Sequence, residues 1–166
     1  LMQRHFTVFF DLKFHDIPQT VAGACRAAAE MGVWKLNVHA CCGRDMLIAA
    51  QHAVKSVSAK NRPFLLPVPV LPGLNDHHLA VVGHQEPAHE LVLRFAKLAH
   101  DSGLDGVVCS AQEAALLRAE LPANFILVTP GIRLPEDDQA DQKRIMTPQA
   151  AFAAGADYLV IGRPIT

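Results

Sequence analysis

Asp11-Leu12-Lys13-Phe14-His15-Asp16 places a lysine between two carboxylates within six residues, close to the start of the chain. An apolar run just before it reads as a β-strand over Thr7 to Leu12. Residues 11 and 13 are two apart at the end of that strand, so their side chains project to the same face, the inside of a barrel mouth if the strand belongs to one. Carboxylates beside a lysine favour its ammonium form and oppose the effect of burial. Such a group can stabilise a carbanion and then protonate it. A purely structural reading stands beside this one. Asp16 would cap the helix opening at Ile17-Pro18, and Asp11 and Lys13 would form an ion pair.

Two further groups of residues have the types needed to hold a small anion. Gly162-Arg163-Pro164 directly follows the last apolar run; glycine lets a ligand approach the backbone and arginine offers a fork of donors. Thr129-Pro130-Gly131-Ile132-Arg133 opens a long polar stretch that passes Glu136-Asp137-Asp138 and ends at Asp141-Gln142-Lys143-Arg144. A loop of that length inside a compact domain is usually functional or disordered, and often a lid. Gln142 carries both a donor and an acceptor, which suits a pyrimidine edge or a bridge to phosphate. Of the nine histidines, His77, His78, His84 and His89 lie in one segment, but without carboxylate or thiolate partners at ligand spacing, so no metal site is expected. No Gly-x-Ser-x-Gly elbow is present.

The elements that must position these residues alternate. Short runs rich in Val, Ile, Leu and Phe predict strands at Thr7 to Leu12, Lys35 to His39, Phe64 to Leu71, Gly106 to Cys109, Phe125 to Thr129 and Tyr158 to Ile161. Between them, helical periods predict helices at Pro18 to Met31, Arg44 to Ser56, Pro87 to Ser102, Ala111 to Glu120 and Pro148 to Ala154. The segment around Val81-Val82-Gly83 reads as a loop. Three junctions repeat one pattern, Gly32-Val33-Trp34, Gly103-Leu104-Asp105 and Gly155-Ala156-Asp157: a glycine ends the helix in a left-handed turn and a buried strand follows. Near-continuous apolar strands are buried on both faces, so the sheet should be parallel. No Gly-x-Gly occurs, which excludes the dinucleotide fingerprint and leaves a (β/α)8 barrel (TIM barrel) favoured over an open doubly wound sheet.

Eight strands make such a barrel, so about six of its eight βα units are expected here, with residues 1–166 forming a single incomplete TIM-barrel domain. The two further units are expected before Leu1 and a closing helix after Thr166. Half of the residues are apolar (51%) and only 19% charged, enough to bury a core. A net charge of -1 removes the long-range attraction that nucleic acid or an anionic membrane surface would need. No run approaches a membrane span. Cys25, Cys41, Cys42 and Cys109 fit neither a redox pair nor a disulfide framework and are expected to be reduced, in the cytoplasm.

The runs Phe9 to Pro18, Asn37-Val38-His39-Ala40, Thr129 to Arg133, Asp141 to Arg144 and Ile161-Gly162-Arg163-Pro164 together closely resemble the bacterial orotidine 5'-phosphate decarboxylases, essentially end to end. The resemblance implies decarboxylation of orotidine 5'-phosphate to UMP in pyrimidine synthesis, without metal or cofactor, by a homodimer with its active site at the interface. It implies that Lys13 stabilises and protonates the C6 carbanion and that Asp11 orients Lys13 beside the departing carboxylate. Asp16 and Thr20 would reach across to the partner's site. Gly162 and Arg163 would hold the phosphate, Gln142 would link phosphate and pyrimidine, and Arg133 would start the loop over the ligand. A magnesium-dependent sugar-phosphate decarboxylase or aldolase of the same superfamily, and an inactive nucleotide-binding barrel, are the alternatives. The chain departs from the family pattern at Pro72-Gly73, where the family has Thr or Ser against the pyrimidine, and at Cys41-Cys42. The family's Asp and Lys from the first two strands have no counterpart here.

Overall fold

A computed structural model of the chain describes residues 6–57, 62–134 and 146–165. In order, the elements are β1 (Phe9–Phe14), α1 (Pro18–Glu30), β2 (Lys35–His39), α2 (Arg44–Lys55), β3 (Phe64–Val68), α3 (Asp76–Val81), α4 (Ala88–Asp101), β4 (Gly106–Val108), α5 (Ala111–Glu120), β5 (Ile126–Thr129), α6 (Pro148–Ala153) and β6 (Tyr158–Leu159). The expected alternation of strands and helices is therefore present. Two compact units divide it: Leu1–Val68 with Leu98–Gly106, and Pro69–Lys97 with Val107–Thr166.

In the first unit the strands lie in the order β1-β2-β3, all parallel. β2 is buried on both sides, its side chains from Lys35 to Val38 withdrawn from solvent. Helices α1 and α2 pack against each other. Small residues on α1, Cys25, Ala28 and Ala29, admit Met46, Leu47 and Val54 of α2 to full burial. β3 stops at Val68 rather than Leu71 because Pro69 has no N–H to donate to a ladder. Pro67 within it is tolerated because β3 is an outer strand of this sheet.

The second unit carries the order β4-β5-β6, with β5 and β6 parallel. Ala111, Ile132, Ala151 and Ala156 form a buried cluster, with Leu159 and Ile161 packed against it. Ser110 and Glu113 make reciprocal capping bonds at the start of α5. The same device explains α3, a short helix that the sequence reading does not assign: the Asn75 carboxamide accepts from the His78 amide and the His78 ring accepts from the Asn75 amide. Six residues are too few to display a helical apolar period, which is why the pattern was silent.

The repeated helix-to-strand pattern has a physical basis in both units. Gly32, Gly103 and Gly155 adopt φ of 77°, 78° and 103°, conformations that a Cβ disfavours. After two of them an aspartate joins neighbouring strands. Asp105 Oδ2 accepts from the Leu65 amide at 2.8 Å, and Asp157 Oδ2 accepts from the Leu127 amide at 2.7 Å. Their own amides donate back, to Leu65 O and Leu127 O. Each aspartate also binds an arginine, Arg62 and Arg118 respectively. Where tryptophan takes the aspartate's place, Trp34 still donates its amide to Val8 O.

Candidate functional site

β1 carries the charged motif, and its pairing with β2 is irregular at that point. Phe10 lies opposite Leu36 and Phe14 opposite Val38, so three residues of β1, Asp11, Leu12 and Lys13, answer to the single Asn37 of β2. Extra residues on one strand bend it and re-aim its side chains. Lys13 absorbs the bend with φ 53°, the one positive value for a non-glycine residue among the described residues. For a residue with a Cβ this conformation costs about 1–2 kcal/mol, so surrounding contacts must hold it. β1 consequently runs to Phe14 instead of ending at Leu12. The Asp11 and Lys13 side chains meet within this bulge.

Asn37, with no exposed surface, is the contact that holds the bend. Its Oδ1 accepts from the Lys13 amide at 2.7 Å, and its Nδ2 donates to Asp11 Oδ1. The same Asp11 oxygen receives the Lys13 ammonium at 2.7 Å. Both charged side chains keep a substantial part of their surface, 31% for Lys13 and 47% for Asp11, so a ligand can reach them. At the end of β2, His39 stacks at a tilt on His15, with ring centroids 5.2 Å apart. Burial, then the neighbouring His15 and Lys13, push the His39 imidazole below its ordinary value. Cys41 and Cys42 form a short turn after it, and burial raises the Cys42 thiol.

Asp16 departs from the capping reading. Ile17 is the N-cap of α1 and makes no side-chain cap; the Asp16 carboxylate instead accepts from the adjacent Ile17 amide at 2.6 Å. Among the described residues Lys13 pairs with Asp11 and not with Asp16. The chain extends through Ile17 at ψ 155° before the helix begins, which leaves Asp16 one residue too early to cap. Thr20 sits exposed in the first turn of α1.

In the second unit the segments after β5 and β6 run side by side. Val160 donates to Thr129 O, and Ile132 and Ile161 share the buried cluster. Arg133 is buried, 5% exposed, with its amide bonded to Met146 O and its Nη1 to Ile132 O at 2.8 Å. Its Nε has no hydrogen-bond partner among the described residues. Gly162 and Arg163 lie exposed in a turn closed by Ile165 N to Gly162 O at 2.8 Å. Nothing lies within 4 Å of where a Cβ on Gly162 would sit. Gln142, and with it the loop from Glu136 to Arg144, lies outside the described residues. Pro72 lies in a turn closed by Leu74 N to Leu71 O. His78 caps α3 and His84 meets Phe95 edge-on, which accounts for two of the clustered histidines by local packing.

Asn37 stands in one of the runs that carry the resemblance, but its role is not legible in the sequence. A polar residue inside an apolar strand was the available signal, since a fully buried carboxamide must find partners.

Parallel strands followed by helices, with a lysine–aspartate pair at one strand end and a glycine–arginine turn after another, define an α/β protein of the (β/α)8 barrel class. The chain belongs to the "Orotidine 5'-phosphate decarboxylase / HUMPS family", whose family model matches residues 1–166. It is 57% identical over 166 residues to "Orotidine 5'-phosphate decarboxylase" of Coxiella burnetii, covering all of this chain and 70% of that protein. The corresponding protein of Hydrogenovibrio crunogenus is 58% identical over the same coverage. Among solved structures, "Orotidine 5'-phosphate decarboxylase from Lactobacillus acidophilus" superposes with a TM-score of 0.85 at 35% identity, covering 99% of this chain and 70% of that one. The chain thus spans about 70% of the length of these relatives.

Proposed function

We propose that this chain carries the reacting pair of an orotidine 5'-phosphate decarboxylase, a carboxy-lyase of pyrimidine biosynthesis that converts orotidine 5'-phosphate to UMP. The observation that carries the reading is the Lys13 ammonium held 2.7 Å from Asp11 at a strained strand end, in a chain of this family. In the reaction the bond between pyrimidine C6 and its carboxylate breaks, CO2 leaves and the electron pair stays on C6. The Lys13 ammonium stabilises that developing charge and donates a proton to C6, and solvent restores the proton to the amine. Asp11 keeps the ammonium aimed and stands beside the departing carboxylate.

The remaining roles belong to the same proposal. Gly162 and Arg163 bind the substrate phosphate; their exposure and the open space over Gly162 suit an anion seated on the turn. Arg133 supports the ligand from the segment after β5, and Gln142 links phosphate to pyrimidine. Asp16 and Thr20 serve the active site of a second copy in a homodimer, a reading supported by their exposure and by the lack of a Lys13–Asp16 pair. Residues 1–166 are read as part of one barrel domain. Four free cysteines suit a reducing cytoplasm, and no described helix is long and apolar enough to cross a membrane.

Loss of absorbance of orotidine 5'-phosphate in the complete protein containing this chain tests the reading, with Lys13→Ala as its control. Turnover abolished by the substitution is expected. Turnover indifferent to it would remove Lys13 from the chemistry, and no turnover by the unsubstituted protein would remove the activity.

A further inference from the structure

We infer that Asn37 is the positioning residue that aims Lys13, acting on its backbone and on its carboxylate partner at once. The inference rests on the assignment of Lys13 and Asp11 as the reacting pair, and it adds how their geometry is fixed. Two independent hydrogen bonds converge on one fully buried side chain: the Lys13 amide donates to Oδ1 at 2.7 Å, and Nδ2 donates to Asp11 Oδ1. A carboxamide carries both an acceptor and a donor on one planar group, whereas neither a carboxylate nor leucine at this position could make both bonds. The first bond lies within the bulge, where three residues of β1 face one of β2 and the regular ladder cannot supply a partner.

The consequence is directional. Lys13 at φ 53° would relax toward an extended backbone if its amide were released, and relaxation would swing the ammonium away from Asp11. Asp11 in turn would lose its only neutral donor among the described contacts and would be held by Lys13 alone. Asn37 does not touch the substrate in this scheme. Its effect is on the alignment of the reacting groups, where a misplacement of one ångström can cost about 10²-fold in rate.

Two variants of the complete protein separate the two bonds. Asn37→Ala removes both. Asn37→Asp is nearly isosteric, keeps an acceptor for the Lys13 amide and loses the donor to Asp11. Three readouts apply: kcat and KM for orotidine 5'-phosphate per folded site, amide hydrogen exchange at Lys13, and thermal melting. For Asn37→Ala, kcat should fall about 10²-fold with KM within about threefold, and the Lys13 amide should exchange faster. For Asn37→Asp, kcat should fall while the Lys13 amide stays protected. Unchanged kcat per folded site in either variant, or an unchanged Lys13 amide in Asn37→Ala, overturns the inference. If Asn37→Ala does not fold, the Asn37→Asp pair of readouts decides it. If the unsubstituted protein turns over no substrate, the functional reading fails and Lys13 amide exchange alone judges the positioning.

Discussion

The Lys13 ammonium and the Asp11 carboxylate meet at 2.7 Å across a bulge in β1, two residues apart in sequence and on one side of a bent strand. The pair is open to solvent on one side and tied to a buried asparagine on the other. It is therefore fixed in direction yet accessible, the condition a pre-aimed proton donor requires.

Replacing Asp11 by asparagine keeps the size of the side chain and removes its charge. The ammonium would then lack its anchor and its counter-charge. Turnover should fall about 10²- to 10³-fold, the usual effect of deleting one pre-aimed polar group. Steady-state kinetics on the complete protein check this, and an activity within tenfold of the parent would contradict it.

Arg163→Ala should act on binding. Charge-assisted hydrogen bonds to phosphate contribute about 1.5–3 kcal/mol, so kcat/KM should fall roughly tenfold to more than a hundredfold. The loss should be smaller for orotidine, which lacks the phosphate, and added guanidinium should restore part of it. Equal losses on the two substrates would move the phosphate site elsewhere.

Gly155→Ala should destabilise the fold by about 1–2 kcal/mol through its positive φ alone. An added Cβ would also stand 3.4 Å from Arg118 Cγ and Nε. That arginine holds the carbonyls of Ala123, Phe125 and Gly155 and the Asp157 carboxylate, so any shift spreads through four bonds. Gly23→Ala, in the exposed middle of α1 with nothing within 4 Å, should instead stabilise by about 0.5–1 kcal/mol. Urea melts of the two variants should move in opposite directions.

The lowered His39 imidazole makes stability depend on pH. The unfolded chain binds the proton more tightly than the folded one, so this contribution is fully present above the ordinary value of 6.5 and is lost as pH falls through the depressed folded value. Thermal melts between about pH 8 and pH 5 should fall less steeply for His39→Gln than for the parent. Parallel curves would remove His39 as the source.

The sequence by itself determined the alternation of strands and helices, because apolar period and glycine punctuation are local properties. It also offered candidates for chemistry in Asp11, Lys13 and Arg163, polar groups set in or shortly after apolar runs. It determined the left-handed turns at Gly32, Gly103 and Gly155, since helix termination there needs only glycine and its neighbours. The short capped helix α3 escaped it, as six residues carry too little pattern. Tertiary structure alone decided that β1 bulges against Asn37, that Lys13 takes a left-handed backbone, and that Asp16 binds Ile17 in place of Lys13. The bulge and the Lys13 backbone depend on Asn37, 24 residues away, and on the register of β2, and the place of Asp16 depends on where α1 begins. Spacing names the groups that could meet, and only the packing of β1 on β2 selects the pair that does.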